Sequence, residues 1–146
     1  MKMSEIKNKT VYVPMAADLI HPGHINIIKI AASLGKVTVG LFTDEAIRSY
    51  KSSPYMNYDM RKIVVENIKG VDNVIPQYTK DYEENLRKLK PNYMVHGTDW
   101  RKGPLASVRE KAIAILAEWG GTVVEPEYTK GISSSEIKNK LRESTE

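Results

Sequence analysis

The chain has 146 residues, 41% hydrophobic and 27% charged, with 22 Lys and Arg against 18 Asp and Glu and a net charge of +4. That length suits a single domain spanning 1–146 with one sizeable core and a loose segment at 1–8, and its lysines, interleaved with acidic residues, need no nucleic-acid partner to explain them. The absence of cysteine excludes a disulfide framework, a thiolate metal site and a cysteine nucleophile; no stretch approaches the roughly 20 apolar residues of a membrane span and Met1-Lys2-Met3-Ser4-Glu5 has no signal core, so a cytoplasmic location is expected.

In chain order, the first apolar run predicts a strand over 10–14. It leads through His21-Pro22-Gly23-His24 into a helix over 24–33. A strand over 36–42 and a helix over 44–50 follow. Ser49-Tyr50-Lys51-Ser52-Ser53-Pro54 then reads as a mobile loop able to close over substrate, with a merely solvated Lys51 as the other reading. Helices are predicted over 58–68, 82–89, 105–119 and 133–141, and strands over 73–76, 93–96 and 122–125. Gly35, Gly70 and Gly120-Gly121 are expected to cap their helices in the left-handed conformation. The alternation implies an α/β fold: a doubly wound, five-stranded parallel sheet with helices on both faces. Ligands of such sheets bind at the carboxyl ends of the strands near the topological switch point, which is where the histidine turn should lie.

Histidines three apart at a helix start project to the same side. The first N–H groups of a helix lack internal partners and carry the positive end of its dipole, so anions bind there. Pro22 has no N–H to waste, and Gly23 lets a ligand approach the main chain. His21 and His24 can each donate to a phosphoryl oxygen and stabilise charge during phosphoryl or nucleotidyl transfer. A bare HxxH pair is more often a capping or solvent-exposed pair. A second helix start of this kind stands in Gly131-Ile132-Ser133-Ser134-Ser135-Glu136: Ser133 suits an N-cap, Glu136 completes a capping box, and Ile137 and Leu141 supply the apolar stripe. Trp100 reads as a packing residue.

Together and in this order, the two motifs resemble the cytidylyltransferase branch of the nucleotidyltransferase superfamily, whose signatures are HxGH and ISTT or ISSS. Further matches follow in that family's order: Thr43-Asp44-Glu45, Tyr58-Asp59-Met60-Arg61-Lys62, Val71-Asp72-Asn73-Val74-Ile75-Pro76 and His96-Gly97-Thr98-Asp99-Trp100. The resemblance implies a Rossmann-like fold and transfer of CMP from CTP to a small phosphonate or phosphate, with release of pyrophosphate, by direct in-line attack. It implies catalytic roles for His21, His24, Lys51 and Arg61. Nucleotide binding would fall to Ala16, Ala17, Asp18, His21, Gly23, His24, Lys69, Gly97, Asp99, Tyr128, Thr129, Gly131, Ile132, Ser133 and Ser134. Magnesium would be held through the CTP phosphates without a dedicated carboxylate cage. Lys51, Tyr50, Tyr55 and Tyr58 are candidates for the acceptor pocket, although the tyrosines also suit loop packing. Arg61 opposes the dipole at its helix start, which an anionic ligand or a salt bridge to Asp59 or Glu45 would explain. Residues 68–76 resemble the stretch at the dimer interface of related enzymes, so a homodimer is expected.

Departures from the family pattern bear on the acceptor. Ala16-Ala17 replace the Thr-Phe that usually precedes Asp18, whose other reading is a hydrogen bond within the turn. Thr98 replaces the first of two aspartates. Tyr128 and Lys130 stand where the related glycerol-3-phosphate enzymes have arginine and glutamate. These changes point away from glycerol phosphate. The flanking contexts resemble cytidylyltransferases associated with phosphoenolpyruvate mutase and phosphonate biosynthesis. Two other readings stay open: an adenylyltransferase of the same superfamily, of the pantetheine-phosphate type, and a catalytically idle nucleotide-binding module.

Overall fold

The computed structural model describes residues 8–127 and 133–145. Five strands, β1 (Thr10–Met15), β2 (Lys36–Phe42), β3 (Val71–Gln77), β4 (Tyr93–Val95) and β5 (Thr122–Val124), form one sheet in the order β3-β2-β1-β4-β5, and every neighbouring pair is parallel. The connections contain α1 (Pro22–Leu34), α2 (Asp44–Arg48), α3 (Tyr58–Glu66), α4 (Glu83–Leu89) and α5 (Ala106–Ala117), and α6 (Ser134–Thr145) follows β5. Two 3₁₀ turns, Thr98–Arg101 and Gly103–Leu105, lie between β4 and α5.

The alternating side-chain directions of the strands build two cores, one on each face. Val11 and Val13 of β1 pack with Ile28 and Ala31 of α1 and Val65 of α3. Tyr12, between those valines, packs on the other side with Ile47 of α2, Leu86 of α4 and Ile115 and Leu116 of α5. This confirms the Rossmann-like, doubly wound reading. The strand order reverses between β1 and β4, so the loops leaving those two strands border the switch-point crevice.

Local chemistry explains most boundaries. Thr43 accepts the N–H of Ala46 at 3.1 Å and starts α2, while Asn57 accepts the N–H of Met60 at 3.0 Å and starts α3. Gly70 (φ 101°) and Gly120 (φ 77°) take the left-handed conformation expected of them, but Gly35 does not. It is extended (φ 165°), and glycine is required because a Cβ would run into the carbonyl of Lys9. Lys90 (φ 45°) supplies the left-handed cap of α4 instead. Among the described residues, no helix is long and apolar enough to cross a membrane.

Candidate active site

The turn between β1 and α1 closes on itself through its two histidines. His21 Nδ1 accepts the N–H of Gly23 at 3.0 Å, and His24 Nδ1 accepts the N–H of His21 at 3.2 Å. The N–H groups of His24 and Ile25 both point to the carbonyl of His21. Every main-chain donor of the first turn is therefore satisfied internally, and Pro22 has none. The expectation that bare helix N–H groups cradle a phosphate fails at α1, because the imidazoles cap them.

What replaces them follows from the same bonds. A ring nitrogen that accepts an N–H carries no proton, so both rings are Nε2–H tautomers whose remaining donor is turned away from the capped main chain. The ring centroids lie 4.1 Å apart. Burial lowers the His21 pKa, and burial together with the neighbouring His21 and Lys51 takes His24 down to about 4. Near neutral pH the pair presents two neutral N–H donors at the positive end of the α1 dipole.

These donors face a cavity of about 350 Å³ that also takes in Ala16, Gly23, Tyr50, Lys51, Lys80, His96, Gly97, Asp99, Glu127 and Ser133–Ser135. It brings the ends of β1 and β4 together with the start of α6. Ser133 accepts the N–H of Glu136 at 3.1 Å, which is the expected cap of α6. On the β4 side, His96 Nδ1 donates to the carbonyl of Gly97 at 2.8 Å, the tautomer opposite to that of His21 and His24. The His96 ring stacks 3.7 Å from Trp100, which is fully buried and donates to Glu125 at 2.7 Å. Hydrogen bonds from Arg109, Trp100 and Arg101 outweigh the burial of Glu125 and bring its pKa down to about 2. The ammonium groups of Lys51 and Lys80 lie 5.4 Å and 5.7 Å from the ring centre of Tyr50. Desolvation, then Lys138, lowers the Lys51 pKa, with Asp18 opposing.

Beneath this surface lies a frame that carries several residues assigned to the site from the sequence. Arg61 is fully buried. Its Nε donates to the carbonyl of Met56 at 2.9 Å, one terminal nitrogen donates to the carbonyls of Ala16 and Phe42, and the other pairs with Asp44 at 2.6 Å. Its place at a helix start is thus explained by Asp44 and three carbonyls, not by Asp59 or Glu45, and the side chain expected to be catalytic does not line the cavity. Asp18 accepts the N–H groups of Tyr55 and Met56 and meets Lys138 at 3.0 Å. Burial raises its pKa, but these three donors together bring it below the ordinary value.

The sequence-assigned residues therefore divide. His21, Gly23, His24, Ala16, Lys51, Tyr50, Gly97, Asp99, Ser133 and Ser134 line one cavity; Ala17 and Asp18 stand behind it. Lys69 precedes β3 at the amino end of the sheet, and it does not line the cavity. Tyr55 and Tyr58 do not line the cavity either. The Tyr58 ring packs on the core and stands 5.9 Å from the Arg61 guanidinium, and Tyr55 stands 5.3 Å from the Lys138 ammonium. Tyr128, Thr129, Gly131 and Ile132 lie outside the described residues. Lys80, Tyr82, Glu127 and Lys138 carry no site assignment from the sequence, and the fold brings them to the crevice or beneath it.

Comparison with known proteins agrees with this geometry. The family model described as cytidylyltransferase-like matches residues 16–140. The chain belongs to the cytidylyltransferase-like family. It is 32% identical over 126 residues to the glycerol-3-phosphate cytidylyltransferase of Staphylococcus aureus, covering 85% of this chain and 88% of that one. It is 29% identical over 137 residues to the ethanolamine-phosphate cytidylyltransferase of Arabidopsis thaliana, covering 90% of this chain and 32% of the relative. An FAD synthase of Aciduliprofundum boonei is 31% identical over 83 residues, 56% of each chain. The solved structure of a lipopolysaccharide core biosynthesis protein from Thermoplasma volcanium superposes with a TM-score of 0.68 at 22% identity, covering 85% of this chain and 98% of the other, a likeness of fold. In this cytidylyltransferase-like chain the cavity sits between the His21–His24 turn and the Ser133–Ser135 start of α6.

Proposed function

We propose that this protein transfers CMP from CTP to a small phosphonate or phosphomonoester and releases pyrophosphate. The observation that carries the reading is the pair of neutral imidazoles, both locked as Nε2–H donors, in one cavity with Ser133 and Ser134. Two such donors suit negative charge growing on the α-phosphoryl oxygens as an acceptor oxygen attacks in line and pyrophosphate leaves. Lys51 adds positive charge beside them. The serines at the start of α6 suit the β- and γ-phosphates. His96 and Gly97, fixed by Trp100 and Glu125, form the wall at β4 for the nucleoside. Tyr50, Lys51 and Lys80 border the space left for the acceptor.

Asp99 and Glu127 add carboxylate oxygens to the cavity, and the serines add hydroxyls. That hard-oxygen set suits magnesium carried mainly on phosphate and water. Bound there, the ion would neutralise charge on the departing pyrophosphate. Relatives named glycerol-3-phosphate and ethanolamine-phosphate cytidylyltransferase support a phosphorylated acceptor, and Ala16-Ala17, Thr98 and Tyr128 support one other than glycerol phosphate. Relatives named FAD synthase make adenylyl transfer the alternative.

The test is pyrophosphate release from CTP, ATP, UTP or GTP, each with 2-aminoethylphosphonate, 2-hydroxyethylphosphonate, ethanolamine phosphate and glycerol 3-phosphate. Turnover of CTP with a phosphonate is expected. Turnover of ATP alone would assign adenylyl transfer, and none with any pair would assign an idle module. We also propose a cytoplasmic homodimer. Its pairing surface would be the free edge of β3 with the exposed Met60 and Ile63 of α3.

A further inference from the structure

Asp18 and Lys138 form a buried ion pair that touches no part of the cavity yet joins three segments bordering it. Asp18 is 2% exposed and Lys138 8% exposed. Asp18 lies between Ala17 (φ 56°) and Leu19 (φ 67°), two non-glycine residues in the left-handed region. Such a conformation persists only where the surroundings enforce it. One Asp18 oxygen takes the Tyr55 N–H at 2.9 Å and the Lys138 ammonium at 3.0 Å, and the other takes the Met56 N–H at 3.1 Å. The strained turn thus aims one carboxylate at the loop after Lys51 and at α6 together.

Lys138 stands four residues beyond Ser134 on α6, on the same helix face and one turn along. Stability alone gives poor reason for a buried ion pair, because apolar side chains of similar volume commonly do as well. An ion pair instead selects one rotation and one height of the helix that carries it.

We propose that Lys138 is a positioning residue: by pairing with Asp18 it holds the start of α6 so that Ser133 and Ser134 meet the terminal phosphates of the nucleotide. This rests on the reading above that the serines bind those phosphates. It separates Lys138 from a residue that only stabilises the fold, because its effect should depend on how many phosphates the nucleotide carries.

Calorimetric titration of the full chain with CTP and with CMP, both with magnesium, tests it in the parent, Lys138→Met, Lys138→Arg and Asp18→Asn. Lys138→Met should weaken CTP roughly ten- to a hundredfold and leave CMP within about threefold. Lys138→Arg should restore part of the CTP affinity. Asp18→Asn breaks the same pair from the other side and should show the same selectivity, so the test survives if one variant fails to fold. Adding Asp18→Asn to Lys138→Met should cost less than the two separate losses together. CTP affinity unchanged in Lys138→Met, or CTP and CMP weakened alike in step with a lowered melting temperature, would overturn the proposal. A parent that binds no CTP would overturn the nucleotide reading itself, a different result from a parent that binds CTP and a variant that binds it equally.

Discussion

Replacing Arg61 with methionine tests whether this side chain belongs to the frame or to the chemistry. The guanidinium donates to the carbonyls of Ala16, Phe42 and Met56 and to Asp44, and is fully buried. Methionine fills much of the volume but donates nothing, so three carbonyls at the ends of β1 and β2 and in the Met56 loop lose their donor. Each buried acceptor left unpaired costs about 1 kcal/mol or more, so Arg61→Met should destabilise by about 3–5 kcal/mol. For a chain of this size that lowers the melting temperature by roughly 10–20 °C. Arg61→Lys keeps the charge but cannot span four acceptors, and should fall between. Thermal and guanidinium unfolding followed by circular dichroism measure both. A variant that melts with the parent but has lost all turnover would place Arg61 among the reacting groups.

His24→Ala should lower turnover on the order of 10²- to 10³-fold, and His24→Gln, which keeps a neutral N–H donor, should recover part of it; equal loss in both under steady-state kinetics would contradict a donor role. Acid should weaken the fold through His24: the unfolded chain takes up its proton below about 6.5, whereas the folded ring does so only near 4. Its share of stability, about 3 kcal/mol, is therefore complete above pH 6.5 and lost as pH falls toward 4. Urea unfolding at stepped pH checks this, and a stability flat from pH 7 to 4 would contradict it. Light scattering at working concentration should find a dimer, and Ile63→Lys should give a monomer; a monomeric parent would refute the pairing surface.

The fold was legible because its signals are local: short apolar runs, capping residues and helix spacing place all five strands and six helices within a few residues of their observed ends. The cavity was legible where a motif names it, at His21, His24, Gly97, Asp99, Ser133 and Ser134. Arg61 and Lys69 do not line the cavity, and the sequence does not show it because a cation in a motif looks the same whether it faces ligand, carbonyl or solvent. Only the path of β1 and β2 supplies the carbonyls that Arg61 holds. Lys80 and Lys138 were invisible for the opposite reason, since ordinary lysines on a loop and a helix acquire meaning only beside Tyr50 and Asp18. Gly35 shows the same limit, as its need for glycine comes from Lys9 and not from a helix cap.

If the proposed activity holds, this cavity moves the α-phosphoryl group of CTP onto a phosphorylated or phosphonate acceptor. CTP labelled at the α-phosphorus, and separately at the γ-phosphorus, incubated with the acceptor panel and resolved by mass, tests it most directly. The α-label should appear in a CMP conjugate of one acceptor and the γ-label in pyrophosphate alone, both forming on the order of 10²- to 10³-fold more slowly in His24→Ala. Label from the γ-position in the acceptor, or conjugates formed from ATP and not from CTP, would contradict it.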